Sequence, residues 1–122
     1  MKIAISSTGK KLESAIDAKF GRCSYFLIIE IDDKKIIGVR AIENTAAEQM
    51  GGAGITAAEI VANEKVGAVI TANLGPRAFS VFRQFGIKIY QGQGNIKNAI
   101  QKFIKGQLTE ITNSTGPMRG GF

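Results

Sequence analysis

Gly67-Ala68-Val69-Ile70-Thr71-Ala72-Asn73-Leu74-Gly75-Pro76-Arg77 is the stretch that decides the fold. Gly67 to Thr71 is a short, continuous apolar run of the kind found in strands covered on both faces of a parallel sheet. Pro76 then suits the first turn of a helix, which is expected over Pro76 to Phe85. Ala78, Phe79, Phe82 and Phe85 can face inward, and Gly86 ends the helix. A buried strand running straight into a helix means α/β.

Downstream, the unit repeats. Ile87 to Tyr90 reads as a strand. Asn95 can cap a last helix, in which Ile96, Ala99, Ile100, Phe103 and Ile104 follow a helical apolar stripe up to Gly106. Upstream, Lys2 to Ser6 is a strand, and Ser7 to Lys19 is a loop or a short helical turn. Ser24 to Ile31 is β-branched and aromatic, so it is a strand. Asp32-Asp33-Lys34-Lys35 turns the chain into a hairpin partner over Ile36 to Ile42. Gly51-Gly52-Ala53-Gly54 leads into a helix over Ile55 to Asn63, with Ile55, Ala58, Val61 and Ala62 as its apolar stripe.

The order β-β-β-α-β-α-β-α predicts a three-layer α/β/α domain around a five-stranded mixed sheet. Right-handed crossovers make strands one, three, four and five parallel and strand 2 antiparallel. One domain is expected over 1–108, followed by a flexible tail over 109–122.

Composition narrows the class. The single cysteine excludes an intrachain disulfide and fits a reducing cytoplasm. The N-terminus reads as a strand, not a signal peptide, and no apolar run approaches the roughly 20 residues that span a bilayer. The net charge is +6, and no histidine is present. The excess charge can steer an anionic partner. The plainer reading is a solvated basic surface, because Lys10, Lys11, Lys34, Lys35, Lys65, Lys88, Lys97, Lys102 and Lys105 form no single run.

In such a sheet the loops leaving the parallel strands gather at the carboxyl edge, where ligands bind. That edge collects the Ser7 loop, Gly21-Arg22-Cys23, the segment from Asn44 to Gly54, the segment from Ala72 to Arg77, and Gln91 to Asn95. Gly51, Gly52, Gly54 and Gly75 let backbone amides approach a ligand, and two helix N-termini favour anions. Asn73 lies beside them, and Arg22 and Arg77 add directional donors. Cys23 is the candidate metal ligand, its pKa lowered by Arg22 and the helix ends.

Each feature also has a structural reading. The glycines can serve a loop and a helix entry, and Cys23 can be an inert small hydrophobe. Arg22 can pair with Glu48, Met50 can pack, and Phe79, Phe82 and Phe85 belong to the core.

These segments, Phe20-Gly21-Arg22-Cys23-Ser24-Tyr25-Phe26, Gly51-Gly52-Ala53-Gly54, Asn73-Leu74-Gly75-Pro76-Arg77-Ala78-Phe79 and Gly86-Ile87-Lys88-Ile89-Tyr90, carry a resemblance. Over about Met1 to Leu108 the sequence resembles the dinitrogenase iron-molybdenum cofactor biosynthesis family of small nitrogenase accessory factor-like domains. The resemblance implies a ribonuclease H-like fold. It also implies non-catalytic binding or carrying of an anionic iron–sulfur or iron–molybdenum–sulfur cluster or its precursor. Many members carry histidine just before the glycine-rich segment, where this chain has Gln49 and Met50. A single thiolate does not cage a cluster as four cysteines do, so open or dimer-shared binding by a monomer or weak dimer is expected.

Three functions compete. The first is the cluster carrier, exchanging its load with cluster donor or acceptor proteins. The second is a ribonuclease H-like nuclease. Two-metal chemistry needs clustered carboxylates, and Glu13, Asp17, Glu30, Asp32, Asp33, Glu43, Glu48, Glu59 and Glu64 are dispersed, with none in the first strand. The third is a phosphate-ligand or nucleic-acid binding protein, with no Walker or dinucleotide fingerprint to support it.

Overall fold

The computed structural model describes residues 1–113. Its elements are β1 (Lys2–Ser7), a 3₁₀ turn (Phe20–Arg22), β2 (Tyr25–Asp32), β3 (Lys35–Glu43), α1 (Ala53–Ala62), β4 (Ala68–Thr71), α2 (Pro76–Gln84), β5 (Lys88–Gln91), α3 (Ile96–Ile104) and β6 (Thr109–Glu110). They form one mixed sheet in the order β3-β2-β1-β4-β5-β6. β1 pairs parallel with β4, and β4 with β5. β2 lies antiparallel between β1 and β3, as the sequence predicts.

Alternation along the strands divides the core into two clusters, because successive side chains point to opposite faces. Ala4, Phe26, Ile28, Val69 and Ile89 face one way and meet Ala57, Ala58 and Val61 of α1 and Ala78 and Phe82 of α2. Ile3, Ile5, Leu27, Ile29, Ala68 and Ile70 face the other way and meet Ile96, Ala99 and Ile100 of α3. The 8–19 segment lies on the α3 side, with Leu12 and Ile16 in that cluster. Asn95 caps α3 as expected, its side chain accepting from the Asn98 amide at 3.2 Å. The β2–β3 hairpin closes through Asp33 and Lys34, both at positive φ (51° and 64°), which matches the twist of the flanking strands.

Four expectations need correction. The sheet has six strands, not five. β6 pairs antiparallel with β5, and the buried Ile111 donates its amide to the Ile89 carbonyl at 2.7 Å. Residues 109–111, expected in a flexible tail, are therefore part of the sheet, while 114–122 lie outside the described residues. α1 begins at Ala53, two residues early, so its buried face is Ala53, Ala57, Ala58 and Val61 and not the stripe led by Ile55. Phe85 is 62% exposed, because α2 ends at Gln84 and Gly86, at φ 69°, turns the chain away. No helix among the described residues is long and apolar enough to cross a membrane.

Candidate functional site

The carboxyl ends of β1, β3, β4 and β5 and the start of β2 share one edge, so the expected segments do converge. Their centre is a tight three-way packing. A Cβ placed on Gly21 would lie 3.0 Å from both the Cα and the amide nitrogen of Gly54. One placed on Gly54 would lie 3.9 Å from the Ala78 Cβ. The 3₁₀ turn thus rests on the first turn of α1, which rests on the first turn of α2, and the two helix N-termini stand side by side.

Both N-termini are uncapped. Gly52 (φ 73°) and Gly75 occupy the N-cap positions and offer no side chain, and neither helix has an acidic residue in its first turn. The amides of Ala53, Gly54 and Ile55 in α1, and of Arg77 and Ala78 in α2, point out of their helices without acceptors among the described residues. Arg77 is exposed, and its guanidinium has no partner among the described residues. Gly51 and Asn73 are exposed on the approaches to these helices. Gly51, Gly52, Gly54, Asn73, Gly75 and Arg77 are therefore brought together. A positive potential with no carboxylate in either first turn suits an anion.

Ser7, Arg22 and Cys23 are placed differently. Ser7 is buried, and its hydroxyl closes a local turn, donating to the Gly9 carbonyl at 2.6 Å and accepting from the Gly9 amide at 3.1 Å. Arg22 is exposed but does not pair with Glu48. Its guanidinium donates to the carbonyls of Ala47 and Gln49 and holds the following loop to the 3₁₀ turn.

Cys23 is fully buried beside Phe20 and Phe26 in the α1/α2 cluster. Its thiol donates to the Phe20 carbonyl at 3.3 Å. Burial pushes its pKa up from 9.0 to about 12, against the lowering effect of the Ser7 amide. The expected lowering by Arg22 and the helix ends is therefore reversed: Arg22 is spent on carbonyls, and desolvation outweighs the amide. In this arrangement Cys23 fills space and offers no thiolate at the edge.

Two residues to which the sequence analysis gives no part in the site shape the edge. Asn44 is buried just after β3. Its side-chain amide donates to the Gly21 and Cys23 carbonyls at 3.2 and 2.9 Å, and its oxygen accepts from the Ala46 amide at 3.1 Å. An asparagine directly after a strand is the available signal, since Asn favours such self-bonded turns. Met50, expected to pack, is 98% exposed. Its neighbours are held: Gln49 donates to the Gly51 carbonyl at 2.7 Å and to the Thr56 hydroxyl at 3.1 Å. A soft thioether thus stands at the rim of the anion-favouring edge. Below the edge, the Ser6 and Thr71 hydroxyls bond at 3.0 Å and tie β1 to β4. Among the described residues no three His, Cys, Asp or Glu side chains gather as a metal site.

Comparison with known proteins agrees with this architecture. An uncharacterized protein of Methanocaldococcus jannaschii is 41% identical over 112 residues, covering 91% of this chain and 92% of its own length. A second uncharacterized protein of that organism is 30% identical, over 93% of this chain and 96% of its own. The apo form of the orange protein from Desulfovibrio gigas superposes with a TM-score of 0.87 at 27% identity, covering 94% of this chain and 96% of that one. The family described as dinitrogenase iron-molybdenum cofactor matches residues 1–106. The chain belongs to that dinitrogenase iron-molybdenum cofactor family.

Proposed function

We propose that this protein is a non-catalytic binder or carrier of an anionic iron–sulfur or iron–molybdenum–sulfur cluster or its precursor. The observation that carries the reading is the pair of adjacent, uncapped helix N-termini beside the unpartnered Arg77, in a family whose name refers to such a cofactor. Outward amides and a guanidinium hold negative charge without a covalent bond to it. Met50 adds an uncharged soft sulfur donor at the rim. Cys23 stays in the core and does not ligate. The protein works as a monomer or weak dimer in the cytoplasm and passes its load to and from cluster donor or acceptor proteins. The strand order with β2 alone antiparallel among the first five supports a ribonuclease H-like classification.

The test is anaerobic purification with metal and sulfide analysis and a visible spectrum, before and after supplying iron, molybdate and sulfide. Wild type and Cys23→Ser are expected to carry a stoichiometric chromophore, and Arg77→Glu to lose it. Loss in Cys23→Ser with the fold intact would move the site into the core. A colourless wild type under every condition would overturn the reading.

The same helix N-termini favour a second reading, a phosphate-bearing ligand. A thermal shift with inorganic phosphate or nucleotides, abolished in Arg77→Glu, would support it over the cluster.

A further inference from the structure

The sheet continues past α2 to β6, and the step between helix and outer strand leaves a cavity of about 340 Å³. Its floor is apolar: Ile87, Ile89 and Ile111 all belong to the α1/α2 cluster. Ile89 and Ile111 stand directly opposite each other, since the Ile111 amide donates to the Ile89 carbonyl, and opposed residues share a face of the sheet. The wall is Phe79 and Arg83, four residues apart in α2 and therefore neighbours on one helix face. The Arg83 guanidinium carbon lies 5.8 Å from the Phe79 ring centre. Gly86, at φ 69°, borders the cavity where the chain drops from helix to sheet.

One charge on this wall is uncompensated. Arg83 is exposed and makes no ion pair or side-chain hydrogen bond among the described residues. Its contact is with a ring, which leaves the N–H donors of the guanidinium free. Lys88 and Glu110 reach the rim from the other face of the sheet, because Lys88 pairs with Ala68 and Glu110 with Tyr90, both in the α3 cluster. As one cation and one anion they offset each other. The amides of Gly86 and Ile87 bond the Arg83 and Phe82 carbonyls at 3.1 and 3.0 Å, which blunts the negative end of α2.

We propose that this cavity is a second binding site, for a small molecule that carries a carboxylate on a flat apolar body. The isoleucine floor and the Phe79 ring take apolar surface out of water, and the Arg83 fork matches a carboxylate with two parallel hydrogen bonds. A volume of about 340 Å³ stands at the small end of the range that takes small ligands, roughly 300–1,000 Å³. Phosphate is the poorer fit, because it calls for several donors and the cavity offers one guanidinium and no helix N-terminus. The site is distinct from the carboxyl edge. It lies beside Ile87, just before the start of β5, whereas Gln91 ends β5 at that edge. The proposal therefore does not rest on the reading of the edge.

The probe is phenylacetate, titrated into the full chain and followed by NMR of backbone amides and isoleucine methyls. Benzyl alcohol, with the ring and no charge, and acetate, with the charge and no ring, are the paired controls. Binding on the order of 1 mM is expected for so small a probe, with saturable shifts at Phe79, Arg83, Ile87, Ile89 and Ile111. Each control should bind at least about fivefold more weakly, and Arg83→Gln should weaken phenylacetate by about as much. Arg83→Lys, which keeps the charge and loses the fork, should fall between the two. Arg83 is exposed, so both variants should keep the fold, and an unchanged spectrum without probe checks this. Arg77→Gln, at the carboxyl edge, should bind phenylacetate like wild type. Absence of saturable shifts at about 10 mM probe would overturn the proposal. So would shifts centred on Gly52, Ala53 and Arg77, undiminished binding in Arg83→Gln, or equal binding of benzyl alcohol. Contacts from residues 114–122 to the Ile89 and Ile111 methyls without probe would assign the cavity to the chain itself and overturn it as well.

Discussion

Cys23 offers the sharpest quantitative prediction, because its burial couples folding to pH. The thiol is neutral when protonated, and folding holds it in that form up to about 12, against 9.0 ordinarily. Between those values the unfolded chain binds fewer protons than the folded one, so stability falls as pH rises. The contribution is intact below pH 9 and is lost progressively above it. Each unit is worth about 1.4 kcal/mol, so near pH 10.5 the folded state should have lost about 2 kcal/mol through this group alone.

The assay is urea unfolding of wild type and Cys23→Ala at about pH 7.5 and 10.5. Every other group is common to both proteins and cancels in the difference. At neutral pH the alanine variant should be less stable by about 1–2 kcal/mol, the cost of deleting a buried atom group. Near pH 10.5 that gap should close or reverse. Parallel pH dependence in the two proteins would refute the reasoning and return Cys23 to the list of accessible ligands. Slow alkylation of the native thiol at neutral pH is the kinetic counterpart.

Other substitutions test the edge itself. Gly21→Ala forces a Cβ to within 3.0 Å of Gly54 backbone and should cost about 1–3 kcal/mol in denaturant melts, whereas Gly51→Ala, with nothing within 4 Å, should cost less than about 1 kcal/mol. Asn44→Ala strands the Gly21 and Cys23 carbonyls and the Ala46 amide. It should destabilise by about 2–3 kcal/mol and raise the alkylation rate of Cys23. Asn95→Ala removes the α3 cap and should lower stability by about 1 kcal/mol, seen as a lower melting temperature with an unchanged spectrum.

The architecture was legible because each element carried its own period. The apolar run from Ala68 to Thr71 with Pro76 behind it, and the hairpin around Asp33-Lys34, specify a mixed sheet without help from distant residues. The glycine segments at strand-to-helix junctions likewise gather at the carboxyl edge that the strand order implies. Side-chain direction at that edge was not legible. Whether Cys23 faces solvent or core depends on the 3₁₀ turn before it, and that turn is held by Asn44 from 23 residues away and by the approach of Gly21 to Gly54. Met50 was misread for a related reason: its exposure follows from the bonds of Gln49 and Arg22 to the loop backbone, which leave no hint in local hydropathy. β6 escaped because two polar residues, Thr109 and Glu110, have no detectable alternation. Their pairing is imposed by β5.

That small strand extends the sheet beyond the limit of the family match. The match to the family stops at residue 106, and the boundary expected from sequence lies at 108, yet among the described residues Thr109 and Glu110 pair the edge of β5 and Ile111 is buried in the core. A chain cut at either point would leave the outer hydrogen-bonding groups of β5 open and the side of Ile89 without its cover from Ile111. Such a fragment would keep nearly all of the recognisable sequence while turning an inner strand into a sticky rim, prone to pairing with a second copy of itself. The family match therefore stops five residues short of the buried Ile111, and the shorter limit is the wrong one to express.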